Sequence, residues 1–576
     1  MNIQYPEKEQ FTAALQQTPS DSMDFVVLTS SVFVSSGLEE FKIHLDECGR
    51  VLKKGGLLFV HGIPEVLPEV GVYLDRFLNF KYWISVESAL RHPHHGLPSV
   101  HAAVLLFSKG RFNIEQVRFS HEFCAFCNKP LRDWGGKTHL MNPDGYAISD
   151  VWKGLPSADN YTHISSPVLN TILKMIDGGN GQRSNSHIPL LTEINATDFG
   201  PEKKGIIGPK EGLGADVKLI AEPTTQYYLP GFARPTSDLH SPQEAPIAIE
   251  PGTQKWNVVI QGDAVEILKK YPDNSIDLAF ADPPYNLDKA YNVYDDERDR
   301  KAYLTWCNAW LEEYARILKP TGALYILNLP RWTMYHAAFL NQKLYFQNWI
   351  VWDALSEPRG KLMPAHYGLL FYTKHPTNFT FNYETVGKID ARYYCLRQSC
   401  IHHRKVEGAD DKEPLTDIWA DIHRLKHQRD RDYHPCQLPD GLMERIIRLS
   451  TNPGDIVLDA LAGTGTTAVV AARLGRRYVA IDIDEEYVNI TRQKLGEITR
   501  LGFVPRRSVP KPRSKYTKKA LQLELRDITN QLGHLPTPED VRKMSRYGLD
   551  AFLETFPSWG KALKAAKLEV QNGRSA

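Results

Sequence analysis

The segment DIVLDALAGTGTTAVVAARLGRRYVAID, residues 455–482, decides the fold of this chain. Its apolar start at 455–459 predicts a short buried strand, and the helical stretch that follows leads to a second strand ending in Asp482. Gly463 and Gly465, between the first strand and the helix, let the backbone approach a ligand closely, and an acid at the end of the second strand can bind two ribose hydroxyls. The segment therefore predicts an α/β sheet with a nucleoside-binding edge.

A second informative feature is Asp282-Pro283-Pro284-Tyr285, which follows an apolar run of strand length at 276–281. Consecutive prolines cannot donate to a strand ladder, and they hold the backbone extended and rigid. The Asp282 carboxylate and the Pro283 carbonyl can accept the two hydrogens of an exocyclic amino group while Tyr285 stacks on the ring of the base. The same four residues occur by chance in unrelated proteins, so their meaning depends on the glycine loop in the same chain.

Together these motifs give the chain a family resemblance. Residues 255–500 resemble the S-adenosylmethionine-dependent amino-methyltransferases of DNA, in the beta-class order that places the catalytic motif before the cofactor loop. The matching pieces are Gly262-Asp263, Asp282 through Leu287, His434-Pro435-Cys436-Gln437-Leu438-Pro439, residues 459–467 and residues 475–487. Two pieces depart from the family pattern: its Asp-Pro-Phe is Asp459-Ala460-Leu461 here, and its Gln-Lys-Pro is Gln437-Leu438-Pro439.

The resemblance implies an α/β fold with a Rossmann-like, seven-stranded methyltransferase sheet, S-adenosylmethionine as cofactor, and double-stranded DNA as partner with the target base flipped out. A cognate restriction or defence nuclease is a further possible partner. The implied catalytic residues are Asp282, Pro283, Pro284 and Tyr285, and the implied cofactor-binding residues are Asp263, Asp459, Gly463, Gly465, Thr466 and Asp482.

The residue before Pro-Pro-Tyr bears on the target base. In the family that this chain resembles, Asp rather than Ser before Pro-Pro-Tyr is associated with methylation of adenine N6. Cytosine N4 and RNA stay open as alternatives, and a DNA-binding adaptor without activity is an alternative from another class. Intact Asp282, Tyr285 and loop glycines argue against the adaptor.

The first part of the chain repeats the catalytic part at an offset of about 266 residues. Four matches occur in order, and they include Tyr82-Trp83-Ile84 with Asn348-Trp349-Ile350, and Asp150-Val-Trp152 with Asp417-Ile-Trp419. We therefore interpret residues 1–178 as a degenerate copy of the methyltransferase. The stretch that matches Ala281 through Tyr285 is Leu28-Thr29-Ser30-Ser31-Val32, so this copy is expected to be catalytically inactive.

Four cysteines present a choice between a metal site and ordinary thiols. Cys124-Ala-Phe-Cys127 has the spacing of half a zinc site, and Cys395 and Cys400 occupy the related position in the second copy. They complete four sulfurs if the copies pack together, with His402 or His403 as a substitute ligand. The alternative is two reduced cysteines in a turn, and no metal is our base expectation.

The remaining segments predict linkers and DNA-binding parts. Residues 179–252 are rich in Gly, Pro, Ser and Asn and predict a linker, and residues 253–499 form the catalytic domain. A target-recognition insert is expected near 375–433, where the stretch from His423 to His434 alternates basic and aromatic residues; a solvated charged loop is the alternative.

The C-terminal part combines a charged tether with predicted helices. Residues 500–519 carry eight Lys or Arg and no acid, which predicts a basic linker. Residues 520–576 predict a small all-helical module in which Thr537 caps a helix that begins at Pro538. Its Leu-Gly-x-x-Pro-Thr and Ser-Trp-x-x-Ala-Leu patterns resemble the DNA-binding helical repeat associated with homing endonucleases.

Composition bounds the class of protein. The chain has 576 residues, 42% hydrophobic and 24% charged, with a formal net charge of +1, so a nucleic-acid surface has to be local. Seven cysteines without a secretory signal indicate a reducing compartment, and no apolar run is long enough for a membrane span. We expect a soluble cytoplasmic protein, associated with the nucleoid of a prokaryote and without a membrane partner.

Overall fold

A computed structural model provides the architecture. It describes residues 2–4, 8–29, 38–91, 96–131, 138–155, 163–177, 204–208, 213–214, 256–286, 299–354, 360–409, 411–424, 437–504, 518–556 and 558–568. These residues divide into two compact units, one that holds both methyltransferase-like copies and a second made by the C-terminal helices. Within the described ranges, no helix has the length and apolar character needed to cross a bilayer.

The N-terminal copy is a sheet with helices packed against it. Its elements are β1 (Asn2–Gln4), α1 (Lys8–Gln17), β2 (Met23–Leu28), α2 (Leu38–Val51), β3 (Leu52–Gly62), α3 (Leu67–Leu74), β4 (Asn79–Arg91), β5 (Ser99–Ser108), β6 (Arg118–Phe119), a 3-10 turn (Thr138–Leu140), β7 (Tyr146–Ala147), β8 (Val151–Trp152), β9 (Ile164–Ser165), α4 (Ser166–Asp177), β10 (Lys204–Gly208) and β11 (Leu213–Gly214). The main sheet has the strand order β1-β10-β2-β3-β5-β4-β8.

The catalytic copy continues the chain with a second sheet. Its elements are β12 (Val258–Gln261), α5 (Ala264–Leu268), β13 (Ile276–Ala281), α6 (Arg300–Ile317), β14 (Leu318–Asn328), α7 (Pro330–Leu340), β15 (Tyr345–Asp353), β16 (His366–Thr373), α8 (Tyr383–Val386), β17 (Lys388–Asp390), α9 (Gln398–Glu407), β18 (Lys412–Pro414), β19 (Ile418–Trp419), α10 (Asp440–Ser450), β20 (Ile456–Asp459), α11 (Thr466–Arg473), β21 (Arg477–Asp482) and α12 (Glu485–Leu501). The strand order is β12-β21-β20-β13-β14-β16-β15-β19.

The catalytic sheet differs from the expected seven strands because it has eight. The additional edge strand is β19, where Ile418 and Trp419 are both buried and pair in parallel with Val351 and Trp352 of β15. Strands β12, β21, β20, β13 and β14 are parallel to one another, and β16 runs antiparallel between β14 and β15. The sheet is thus mainly parallel, as predicted, and its central strands are buried.

The N-terminal sheet has the same plan with one strand fewer. Strands β2, β3, β5, β4 and β8 occupy the places of β13, β14, β16, β15 and β19, with the same mixture of parallel and antiparallel pairs. On the other side, β1 pairs directly with β10. In chain order β1, α1 and β2 match β12, α5 and β13, and β10 lies beside β2 as β20 lies beside β13. Among the described residues, the N-terminal sheet therefore has no strand that matches β21, which lies between β12 and β20 and ends in Asp482.

The predicted linker at 179–252 is wrong in part. Residues 204–208 form β10, which lies between β1 and β2 in the N-terminal sheet, and residues 213–214 pair with β9. The reason is that Ile206 and Ile207, an apolar pair hidden among glycines and prolines, are fully buried on opposite faces of the sheet. The N-terminal copy consequently extends beyond residue 178.

The two copies face each other through equivalent residues. Trp83 and Trp349, which match in the repeat, stack with ring centroids 3.7 Å apart and planes inclined by 5°. His101 contacts Asp417 at 3.0 Å, and the equivalent His366 contacts Asp150 at 3.1 Å. Reciprocal contacts of this kind are the mark of a two-fold interface. The single chain thus forms an internal pseudo-dimer.

Backbone contacts repeat the same symmetry. The Asp417 carboxylate accepts a hydrogen bond from the Val100 N–H at 2.9 Å, and the Asp150 carboxylate accepts one from the Ala365 N–H at 2.8 Å. Since Asp150 and Asp417 are both almost fully buried, these bonds fix the register of one copy on the other.

The second unit consists, in its described residues, of four helices around a small apolar core. They are α13 (Lys518–Leu532), α14 (Pro538–Met544), α15 (Gly548–Thr555) and α16 (Trp559–Ala565). Thr537 caps α14 in a reciprocal capping box with Asp540, and Pro538 is the first helical residue, as predicted. The expected linker at 500–519 is shorter than predicted, because α12 runs to Leu501 and α13 begins at Lys518.

Candidate active site

The predicted motifs meet at one edge of the catalytic sheet. Phe280 in β13 pairs with Asp459 in β20, and Gln261 at the end of β12 pairs with Asp482 at the end of β21. The carboxyl ends of these parallel strands therefore share one edge. From β13 the chain proceeds to β14 on one side, whereas β20 and β21 lie on the other. Such a switch point is where ligands bind in open α/β sheets.

The catalytic motif leaves β13 with its side chains held by short hydrogen bonds. The Tyr285 hydroxyl donates to the Asp282 carboxylate at 2.8 Å. The Tyr285 ring is only 3% exposed and lies 5.6 Å from the ring of Tyr367. A base that stacks on Tyr285 therefore has to displace neighbouring side chains, whereas Asp282 is already partly accessible.

A layer beneath the motif fixes its backbone, and the sequence analysis missed it. The Tyr303 hydroxyl donates to the Pro284 carbonyl at 2.7 Å, and the Trp332 indole N–H donates to the Tyr285 carbonyl at 2.9 Å. The Asn328 amide then donates to the Tyr303 oxygen at 3.1 Å. Two carbonyls of the motif are thus engaged by the scaffold, which makes the Asp-Pro-Pro-Tyr backbone a preorganised platform.

This layer is closed by a buried histidine. The Asn328 amide also lies 3.0 Å from His336 Nε2, and burial lowers the pKa of His336 to about 3. The imidazole is therefore neutral and accepts the amide hydrogen. Helix placement alone could have suggested that Trp332 and His336 share a face, since they are i and i+4 on α7. No local pattern indicates that Trp332 contacts the motif or that His336 contacts Asn328.

The glycine loop has the close-packed geometry that a cofactor loop requires. Gly463 and Gly465 have φ values of 50° and 77°, in the left-handed region that favours glycine. Thr491 and Lys494 of α12 pack against the loop, and the Lys494 ammonium donates to the Thr464 carbonyl at 2.9 Å. Sequence reasoning missed both α12 residues, because their spacing is that of an ordinary amphipathic helix.

Two acids hold the loop from the strand ends. The Gly463 N–H donates to Asp482 Oδ2 at 2.7 Å, and the Thr467 hydroxyl donates to Asp459 Oδ2 at 2.6 Å. Burial raises the pKa of Asp482 to about 6 and that of Asp459 to about 7, because both carboxylates lose water. Asp459 is 4% exposed, so it shapes the loop from within, whereas Asp482 stays partly accessible at the sheet edge.

The other predicted cofactor residues lie nearby in the fold. Asp263 caps α5 by accepting a hydrogen bond from the Glu266 N–H at 3.1 Å, directly after β12. Thr466 is the first residue of α11, which follows the loop. These residues fit a nucleoside cofactor: glycines without Cβ atoms line the turn, a helix begins beside it, and a partly accessible acid ends the adjacent strand.

Some predicted residues fall outside the described ranges. They are Leu287, the His434-Pro435-Cys436 part of the family match, and residues 425–434 of the basic segment in the expected recognition insert.

The described part of the insert is more regular than predicted. A target-recognition insert that breaks the alternation of strands and helices was expected near 375–433, but Phe379 and Phe381 pack on Phe371 of β16, and β19 joins the sheet itself. Aromatic residues separated by one polar residue place their rings on the same apolar face, which explains the docking. Only part of the interval is therefore an insertion.

The four candidate metal ligands do come together. The Sγ atoms of Cys124, Cys127, Cys395 and Cys400 all lie within 4.8 Å of one another. His402 and His403, the suggested substitutes, are exposed and do not belong to this group.

Comparison with known proteins agrees with this geometry. Residues 276–493 match the family model described as DNA methylase, and residues 516–569 match the homing endonuclease associated repeat. The match to Type II methyltransferase M.HpaI of Haemophilus parainfluenzae is 37% identical over 242 residues and covers 41% of this chain and 73% of that protein. The match to DNA adenine methyltransferase YhdJ of Escherichia coli is 34% identical and covers 41% of this chain and 82% of that protein.

Other matches are shorter or more distant. Type II methyltransferase M.BamHI of Bacillus amyloliquefaciens is 38% identical, but the match spans about half of its length, 53%, and 38% of this chain. Among solved structures, a DNA modification methylase of Thermus thermophilus complexed with S-adenosyl-L-methionine is 23% identical, with a TM-score of 0.29 over 42% of this chain and 93% of that chain. With the motifs and the relatives in agreement, the chain belongs to the N6/N4 DNA methylase family, whose methyl donor is S-adenosylmethionine.

Proposed function

We propose that the chain methylates adenine N6 at specific sites in double-stranded DNA. The observation that carries the proposal is the placement of Asp282 at the end of β13, directly beside β20 and its glycine loop. Neighbouring strands lie about 4.8 Å apart. An amino group held at Asp282 is therefore within a few ångströms of a cofactor held at Gly463 and Gly465.

The residues of the site divide into two groups. Gly463, Gly465, Thr466, Asp263 and Asp482 would hold S-adenosylmethionine, with Asp482 accepting hydrogen bonds from ribose hydroxyls. When bound, this cofactor supplies an electrophilic methyl group. Asp459 acts indirectly, since its oxygens accept the Thr467 hydroxyl and the Leu461 N–H and keep the loop in shape.

The base-binding group localises the amino lone pair. The Asp282 carboxylate and the Pro283 carbonyl accept the two N6 hydrogens, which draws the lone pair out of conjugation with the ring. Asp282 is also placed to take the proton that leaves N6. A base inside a duplex cannot reach this platform, so it has to be flipped out and stacked on Tyr285. Positioning supplies most of the remaining acceleration.

Asp at the first position of the motif favours adenine over cytosine. The name of YhdJ, a DNA adenine methyltransferase, agrees with this assignment. The family that matches residues 276–493 includes N4 as well as N6 methylases, so N4-cytosine transfer is the second candidate. We further propose that the N-terminal copy is an inactive partner, that the C-terminal helices add DNA contacts, and that a restriction or defence nuclease is associated.

The test compares two equivalent positions of the repeat. Asp282→Ala is expected to lower the methylation rate by at least about 100-fold, because a hydrogen-bonding group aimed at the reacting centre is removed. Thr29→Ala, at the position that matches Asp282 in the first copy, is the control and should leave the rate unchanged. Calorimetry should give the same affinity for S-adenosylmethionine in both variants.

Product analysis identifies the base. Digestion of methylated DNA to nucleosides, followed by mass spectrometry, should yield N6-methyldeoxyadenosine, and single-molecule sequencing should give its flanking sequence. N4-methyldeoxycytidine, or methylation of RNA alone, would show that the adenine assignment is wrong. A drop in rate in Thr29→Ala comparable to that in Asp282→Ala would contradict the division into active and inactive copies.

A further inference from the structure

Four thiols, two from each copy, form a compact group that contains none of the residues of the methyl-transfer motifs. Cys124 Sγ lies 3.8 Å from Cys400 Sγ, and Cys127 Sγ lies 3.6 Å from Cys395 Sγ. A tetrahedral zinc with Zn–S bonds of about 2.3 Å separates its sulfurs by about 3.8 Å. The observed separations therefore match the edges of such a tetrahedron.

The loop of the first copy has the turn that a paired-thiolate site needs. The Cys124 N–H donates to the Lys129 carbonyl at 2.8 Å, and the Asn128 N–H donates to the Cys124 carbonyl at 2.9 Å. Asn128 is left-handed, with a φ of 50°. This geometry folds Cys124-Ala-Phe-Cys127 back on itself and turns both sulfurs to the same side.

The second copy completes the group from a different element. Cys395 lies in a loop, and Cys400 lies in the first turn of α9. The Cys395 N–H donates to Cys124 Sγ at 3.3 Å. Backbone N–H groups that donate to sulfur favour the thiolate form, which is the form that binds metal.

Further contacts hold the two loops together around the sulfurs. The Ala125 N–H donates to the Tyr393 carbonyl at 3.0 Å, and the Arg397 guanidinium donates to the Pro130 carbonyl at 2.8 Å. Cys124, Cys395 and Cys400 are 4% exposed or less. The group is thus an enclosed junction at which thiols from both copies converge.

The surroundings suit a site with net negative charge. Arg404 is fully buried, and its guanidinium lies 4.1 Å from the ring centroid of Tyr394, next to Cys395 in the chain. Zinc with four thiolates carries a net charge of −2. The guanidinium, which also lies 3.2 Å from the Asp390 carboxylate, offsets part of that charge from the adjoining helix α9.

Disulfide bonds do not account for the geometry. A disulfide brings two sulfurs to about 2.05 Å, whereas the thiols here are nearly twice as far apart. Four sulfur ligands are typical of zinc or of iron–sulfur clusters. Zinc fits better, because two separations match those around a single ion and all four sulfurs lie within 4.8 Å of one another.

We propose that Cys124, Cys127, Cys395 and Cys400 bind one structural zinc ion that joins the inactive copy to the catalytic copy. Binding releases the thiol protons to solvent and leaves no open coordination position, so the ion stabilises the junction and takes no part in methyl transfer. The site depends on neither the target base nor the cofactor assignment.

The test measures metal in the full-length chain, expressed with added zinc and purified in reductant without chelator. Elemental analysis should find about one zinc per folded chain. Cys127→Ser and Cys395→Ser should lose it, whereas Cys48→Ser and Cys307→Ser, buried cysteines outside the group, should retain it. Substitution with Co²⁺ should give the intense visible absorption of a tetrahedral thiolate site in the wild-type chain and not in Cys127→Ser.

A second measurement uses only the wild-type chain, so that it still tests the proposal if the cysteine variants fail to fold. Removal of zinc from the wild-type chain with a mercurial and a chelator should lower the melting temperature, and added zinc should restore it. Folded wild-type protein purified without bound zinc after expression with added zinc, a melting temperature that zinc removal leaves unchanged, zinc retained by both cluster variants, bound iron, or a mass lower by four hydrogens from two disulfides would each overturn the proposal.

Discussion

Replacing Gly465 with alanine tests the loop geometry most directly. Gly465 has a φ of 77°, and a Cβ added there would lie 2.5 Å from the hydroxyl oxygen and 2.8 Å from the Cβ of Thr491, and closer still to its methyl group. Two costs add up. A non-glycine residue in the left-handed conformation costs about 1–2 kcal/mol, and overpacking of a rigid site costs about 1–3 kcal/mol.

The expected total is therefore about 2–5 kcal/mol, shared between folding and cofactor binding. If the loop yields by moving into the space of the cofactor, the affinity for S-adenosylmethionine falls about tenfold for each 1.4 kcal/mol. Urea unfolding measures the first part of the cost, and titration calorimetry measures the second.

Gly475→Ala is the matched control. Gly475 also has a left-handed φ, 73°, but nothing lies within 4 Å of an added Cβ. It should show the conformational cost of about 1–2 kcal/mol and no decrease in cofactor affinity. Equal effects of the two substitutions on cofactor binding would refute the argument that Thr491 sets the position of the loop.

Three further predictions concern the acid, the interface and the tail. Burial raises the pKa of Asp482 to about 6, and its ionised form accepts the ribose hydroxyls. Cofactor affinity measured by calorimetry should therefore fall as the pH is lowered below about 6, by up to about tenfold per pH unit, and Asp482→Asn should remove this part of the pH dependence. Asp417→Ala and Asp150→Ala should each lower the free energy of unfolding, measured in urea, by about 3–5 kcal/mol. Each substitution leaves a buried histidine and a buried N–H of the other copy without their acceptor. A small effect of either substitution would contradict the two-fold interface. Truncation at Leu501 removes the charged tether and should leave the cofactor affinity unchanged. The slope of log DNA affinity against log salt concentration should become shallower by about 0.9 for each phosphate that the tail neutralises. An unchanged slope would mean that the tail does not bind DNA.

Local patterns predicted the centre of the catalytic copy. The strands around the glycine loop and before Asp282 lie within a residue or two of their predicted bounds, because apolar runs next to glycine and proline leave little choice of structure. The cap at Thr537 was predictable for the same reason, since a Thr-Pro-x-Asp sequence satisfies the first N–H groups of a helix locally.

Contacts between distant segments were not predictable in this way. Tyr303 reaches the Pro284 carbonyl and Asn328 reaches Tyr303 only after α6 and β14 pack on the motif, and no residue near them in the chain marks that contact. Strand β10 was missed because its two isoleucines are surrounded by residues typical of loops, and its place in the sheet comes from pairing with β1 and β2.

The repeat shows which features the first copy shares with the catalytic copy and which it lacks. The first copy shares the interface residues: Trp83, His101 and Asp150 match Trp349, His366 and Asp417 and contact them across the interface. The residues that match Asp282 through Tyr285 are unrelated to that motif. The strand that would carry the equivalent of Asp482 is missing from the described sheet. The matched residues therefore form a two-fold interface within one chain, in which the first copy occupies the place of a second protomer. We propose that it supplies this interface without a second active site.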